Sequence, residues 1–72
     1  MHAVQFDVIA TLISSREPTK SAARRVLVDG IAQAEAAREF VLSPQTVNRT
    51  VRRFNNADAL IQTAYALKRK TA

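Results

Sequence analysis

Between Ser43 and Asn56 the chain sets Gln45, Asn48, Arg49, Arg52 and Arg53 in a stretch that contains no acidic residue. Side chains of these types carry out recognition chemistry rather than bond breaking. An arginine donates two parallel hydrogen bonds to O6 and N7 of guanine, and asparagine or glutamine does the same across N6 and N7 of adenine; each good pair is worth about 1–3 kcal/mol of discrimination. The spacing brings all five to one side of a helix. Gln45, Asn48 and Arg49 fall in the first two turns after Ser43, where base edges are reached. Ser43, Thr46, Arg52 and Arg53 are assigned to phosphate and sugar, the two arginines because they lie toward the helix end, away from a groove floor. The plainer alternative is that the same residues only solvate an exposed helix face.

Covalent and metal chemistry lack their parts. There is no cysteine, and His2 is the only histidine, so thiolate nucleophiles, disulfides, zinc ligand sets and histidine-based triads are excluded. A single glycine, Gly30, rules out glycine-rich phosphate loops. The expectation is a protein that is not an enzyme, with no catalytic residues, no metal and no cofactor. Eleven Lys and Arg against six Asp and Glu give a net charge of +5, which favours a polyanionic partner. No run approaches the 18 or more apolar residues of a spanning helix, and the start lacks the basic end of a signal peptide, so a soluble, cytoplasmic, nucleoid-associated protein is expected.

Seventy-two residues with 47% apolar content amount to one small domain, residues 1–72. The pattern predicts an all-α fold of about five short helices. Gln5 to Ser15 carries Phe6, Ile9 and Ile13 at helical spacing. Its β-branched residues also alternate as in a strand, but no second strand-like run follows to pair with it. Pro18 marks a loop, Thr19 is expected to cap a second helix over about 20–28 with Ala22, Ala23, Val26 and Leu27 inward, and Gly30 ends it. A third helix runs from Ala32 or Gln33 to Phe40. Ser43-Pro44, a capping hydroxyl followed by proline at the first helical position, opens a fourth that reaches about Phe54 and buries Val47, Val51 and Phe54. Asn55 and Asn56 are expected to end it, with Asn56 capping a fifth helix over about 57–69.

Two short helices separated by Val41-Leu42 must turn sharply, so residues 33–54 read as a central helix-turn-helix. Membrane-surface binding fits less well, because the stripe opposite the arginines is needed for the core. RNA binding would call on stacking aromatics, and three of Phe6, Phe40, Phe54 and Tyr65 are wanted inside.

The run RRVLVDGIAQAEAAREFVLSPQTVNRTVRRF, Arg24 to Phe54, with Gln5-Phe6 the right distance ahead, resembles the KorA/TrfB transcriptional repressors of broad-host-range plasmids. Ala23 to Gly30, ARRVLVDG, is its more specific part; QAEAA followed by a turn and TVNR occurs in many helix-turn-helix proteins. The resemblance covers about residues 5–54. It implies a repressor of plasmid or mobile-element genes that binds palindromic double-stranded operators as a homodimer, the helix from Pro44 lying in the major groove. An interaction module on the same scaffold, its basic face serving an acidic partner, is the alternative.

Two positions depart from that pattern. Val41 stands where such turns usually hold glycine, and a β-branched residue at positive φ is strained by about 1 kcal/mol or more, so the turn either bears that strain or follows a different path. The family's longer members also carry a larger carboxyl-terminal dimerisation segment, for which these residues have no room. The dimer interface is therefore expected on the fifth helix, at Leu60, Ile61, Ala64 and Tyr65, beyond which Leu67 continues the apolar arc; the plainer alternative is that all of them pack on the Phe6 helix. Lys68, Arg69 and Lys70 read as a solvated, frayed end rather than as phosphate ligands.

Overall fold

The computed structural model describes residues 1–71, with side chains through Ala66. Four helices form: α1 (Ala3–Leu12), α2 (Thr19–Leu27), α3 (Gln33–Glu39) and α4 (Pro44–Thr71). No strand occurs among the described residues. The all-α class is as expected, but the helices number four rather than five, because the break at Asn55-Asn56 does not occur. Both asparagines are exposed within the unbroken 28-residue α4. Asparagine in a helix costs only a few tenths of a kcal/mol relative to alanine, far less than proline. Against that small cost, Ala57 and Ile61 continue the inward stripe of Val47, Val51 and Phe54 and pack on the same core.

That core draws on every helix: Phe6, Ile9 and Ala10 from α1, Ala22 and Ala23 from α2, Ala36 and Ala37 from α3, and Val47, Val51 and Phe54 from α4. Four of the ten are alanines of α2 and α3, so these helices approach their neighbours closely without large side chains between them. The large volume comes from Phe6 and Phe54, whose rings stack with centroids 4.3 Å apart and planes 3° from parallel. Arg24 covers the outer side of Phe6, its guanidinium carbon 5.7 Å from the ring centre, while pairing with Asp7 at 2.6 Å. Helices α2 and α4 each contact the other three, whereas α1 and α3 do not meet.

The connections explain the angles. Helix α1 ends with Ser14 at φ 52°, and α3 ends with Val41 at φ 53°. Each end is closed by the same pair of backbone bonds: Ser15 N–H to Ala10 O and Ser14 N–H to Thr11 O, then Leu42 N–H to Ala37 O and Val41 N–H to Arg38 O. This is the left-handed cap that glycine usually occupies. After α2 the left-handed position falls to Gly30, at φ 78°.

Helix α2 starts otherwise than the sequence reading holds. Thr19 is its first residue and turns its hydroxyl back to Arg16 O at 2.8 Å. The Glu17 carboxylate satisfies the orphan donor instead, accepting the Ser21 N–H at 2.7 Å and the Ser21 hydroxyl. Those bonds hold the Glu17 carboxyl below its ordinary range.

Candidate nucleic-acid interface

Helix α4 begins where Ser43-Pro44 predicts. Pro44 is the first helical residue, and the Ser43 hydroxyl accepts the Thr46 N–H at 3.1 Å while its Oγ lies 2.7 Å from Thr46 Oγ1. The two hydroxyls assigned to phosphate are therefore already engaged with each other at the helix entrance. No acidic residue occupies the first turn, so the positive end of the helix dipole is left uncompensated.

From that entrance the outward face of α4 carries Gln45, Asn48, Arg49, Arg52 and Arg53, all exposed. Together with Pro44 and Asn56 they line one shallow, open groove of about 640 Å³. The structure thus brings together the residues named for base contact and the two arginines named for phosphate. Thr46, half-buried, lies outside the groove lining.

Two hydrogen bonds fix parts of this face to the rest of the molecule. Asn48 donates from Nδ2 to Gln33 Oε1 at 3.1 Å, joining the first residue of α3 to the second turn of α4. Arg53 donates from Nη2 to Ile13 O at 3.1 Å, at the carboxyl end of α1. Arg53 is thereby drawn partly toward its own chain, while among the described residues no side-chain hydrogen bond or ion pair engages Arg49 or Arg52.

The turn before α4 is rigidified from below. Arg25 of α2 grips Glu39 at the end of α3 in a two-pronged pair, 3.0 Å from Nε and 3.1 Å from Nη2, and also holds Asp29 at 2.9 Å. Planar forks of this kind fix orientation as well as distance. The guanidinium keeps the Glu39 carboxyl below its usual range, and Glu39 first and Asp29 second raise the pKa of Arg25.

No family model, curated protein or solved structure matches the chain.

What the site can do must be argued from its own chemistry. Among the described residues no three His, Cys, Asp or Glu groups gather as metal ligands, and no helix is long and apolar enough to cross a membrane. The groove offers guanidinium and amide donors on one face of a helix that three others brace.

The residues named for a dimer surface divide. Leu60 and Tyr65 are 72% and 61% exposed, and Ala64 is exposed. Ile61 is half-buried and rests on the core. Leu67, Lys68, Arg69 and Lys70 lie outside the described side chains. Sequence reasoning missed Gln33, whose bond to Asn48 depends on how two helices cross, and Asn56, which follows Arg52 by one helical turn and drops out only if the helix is stopped there. Asp58, in mid-helix, accepts a hydrogen bond from Gln5 Nε2 at 2.6 Å and ties α4 to α1.

Proposed function

We propose that this chain is a sequence-specific double-stranded DNA-binding transcriptional regulator, a repressor of plasmid or mobile-element genes of the KorA-like kind, acting in the cytoplasm at the nucleoid. In this reading α3, the turn at Phe40 to Ser43 and the first half of α4 are the helix-turn-helix. Gln45, Asn48 and Arg49 read bases in the major groove; Ser43, Thr46, Arg52 and Arg53 hold the phosphates. The feature that carries the reading is the acid-free groove on α4, where exposed amide and guanidinium groups line a single helix face. A helix presenting such groups fits the width of a major groove and the donor and acceptor pattern on its floor.

One recognition helix spans about four or five base pairs, too few to select one site in a genome, so the protein works as a homodimer. The apolar arc of the second half of α4, Leu60, Ile61, Ala64 and Tyr65, belongs to the contact surface. The operator is then an inverted repeat with half-site centres about one helical turn, 10 to 10.5 base pairs, apart.

Selection of bound duplexes from a random pool, followed by salt titration of the selected and a scrambled duplex, tests the function. An enriched inverted repeat and binding that falls log-linearly with salt support it. No enrichment and no duplex affinity at low salt would instead leave an interaction module.

A further inference from the structure

Of the residues named for base contact, Asn48 alone is held by the rest of the molecule. Gln45 and Arg49 make no side-chain hydrogen bond or ion pair among the described residues, whereas Asn48 donates from Nδ2 to Gln33 Oε1 at 3.1 Å. The difference follows from where each falls on α4. Asn48 comes directly after buried Val47 and three residues before buried Val51, at the border of the inward stripe, yet it is exposed and lines the groove. Gln33 precedes buried Ala36 and Ala37 by three and four residues, so it shares the inward face of α3 and is itself half-buried. Both ends of the bond stand on backbone that the core fixes.

A side-chain amide carries one oxygen that accepts and one NH2 group that donates twice, on a terminal torsion that is soft and roughly two-fold. An exposed asparagine with no partner therefore offers oxygen or nitrogen to a base with little preference. The bond to Gln33 removes that freedom: the nitrogen of Asn48 is turned toward α3, which fixes the side on which Oδ1 lies. One N–H and Oδ1 remain, a donor and an acceptor in set order, and this is the pair that N7 and N6 of adenine require. The same amide turned over would present its NH2 to the adenine N6 amino group, donor against donor, and would suit O6 of guanine or O4 of thymine instead. Gln33 does not line the groove, so it acts on a base through Asn48.

We infer that Gln33 is a positioning residue that determines specificity: by accepting from Asn48 it sets the sense of the Asn48 amide and directs it to adenine rather than to guanine or thymine. This rests on the reading of α4 as a recognition helix and deepens it, giving one operator position its base and a residue of α3 the choice of that base. The bond is present in the free chain, so the amide is ordered before a duplex arrives and less side-chain freedom is lost on binding.

The test compares the full chain with Gln33→Ala, Gln33→Glu and Asn48→Ala, each checked for folding by circular dichroism melting. In the free protein, nuclear magnetic relaxation of the Asn48 side-chain NH2 is expected to show a restricted group in the unaltered chain and in Gln33→Glu, whose carboxylate accepts in the same way, and a mobile one in Gln33→Ala. Competition between the selected duplex and its single base-pair replacements then locates the position whose preference Asn48→Ala abolishes. Adenine is expected there, and Gln33→Ala should weaken its preference by about threefold or more while leaving other positions unchanged. Gln33→Glu should keep the preference even as its added negative charge lowers affinity for every duplex alike. In the Asn48→Ala background, Gln33→Ala should change the base profile no further. An Asn48 amide equally mobile with and without Gln33, or a base profile that Gln33→Ala leaves unchanged or shifts evenly at all positions, overturns the role of Gln33 and leaves the DNA reading standing. A chain that selects no duplex overturns the DNA reading and the role of Gln33 with it.

Discussion

The two halves of α4 share one continuous backbone and present opposite chemistry. From Pro44 to Phe54 the helix buries Val47, Val51 and Phe54 and turns three arginines and two amides outward. From Ala57 to Ala66 it carries no basic residue, and its inward stripe passes from half-buried Ile61 to Tyr65, which is 61% exposed. The difference lies in what stands beside the helix. Where the body flanks it, the apolar stripe is consumed by the core and the outer face is free to carry charge. Where the body ends, the same stripe is left facing solvent at Tyr65.

The largest way to break the comparison is to remove the residue that anchors the join. Phe54 is fully buried and stacked on Phe6. Phe54→Ala is expected to cost about 3–5 kcal/mol, as much as the whole stability of a chain this small, so thermal melting should show loss of the cooperative transition. A variant that melts normally would mean the α1–α4 packing is not what holds the halves together.

Arg49→Ala sharpens the first half. Binding to the selected duplex should weaken by about 1–3 kcal/mol and binding to scrambled duplex much less, whereas Arg52→Ala should weaken both alike. Titration of both duplexes with both variants separates base reading from phosphate holding. Equal losses for Arg49→Ala on the two duplexes would move it to the phosphate group.

A smaller effect tests the turn that aims the first half. Val41 is 92% exposed at φ 53°, so its side chain contributes almost no packing and its backbone bears the left-handed cost. Val41→Gly relieves strain of about 1–3 kcal/mol against a greater loss of unfolded-state freedom of about 1 kcal/mol, and the melting temperature should rise. A fall would show that Val41 packs on something in solution.

The smallest concerns pH. The Glu39 carboxyl is depressed by Arg25 below its ordinary value of 4.5, so the pair stabilises the fold fully above that value and is lost as pH falls through the lower, folded-state pKa. Melting temperature followed downward from neutral pH should fall more steeply in the unaltered chain than in Glu39→Gln. Parallel curves would show the fork to be energetically idle.

Local signals were legible and relational ones were not. Ser43-Pro44 announces its helix because the hydroxyl cap and the proline are both properties of adjacent residues, whereas the place of Val41 marks only where glycine is usual, and the folded backbone, at φ 53°, decides that a β-branched residue keeps that geometry. The amide and arginine face could be found from spacing alone. Asn55-Asn56 misled because two modest helix formers look like a stop, while the burial of Phe54, Ala57 and Ile61 that carries the helix through is a property of the packed molecule. An exposed apolar row on α1 escaped for the same reason. Val4, Val8 and Leu12 are as apolar as the residues that are buried, and only the position of α4 decides which side of α1 is covered. The bond between Gln33 and Asn48 requires the crossing of two helices and leaves no trace in either.

The unbroken α4 behaves as a drive shaft. Each residue advances the helix by about 1.5 Å and turns it by about 100°, so the number of residues between Arg49 and Ile61 sets the rotational phase between the arginine face and the apolar stripe. One residue inserted at Asn56 would leave both ends chemically unchanged and still swing one against the other by more than a quarter turn. In the proposed dimer, the distance and the angle between two half-sites would be written into the length of a single helix.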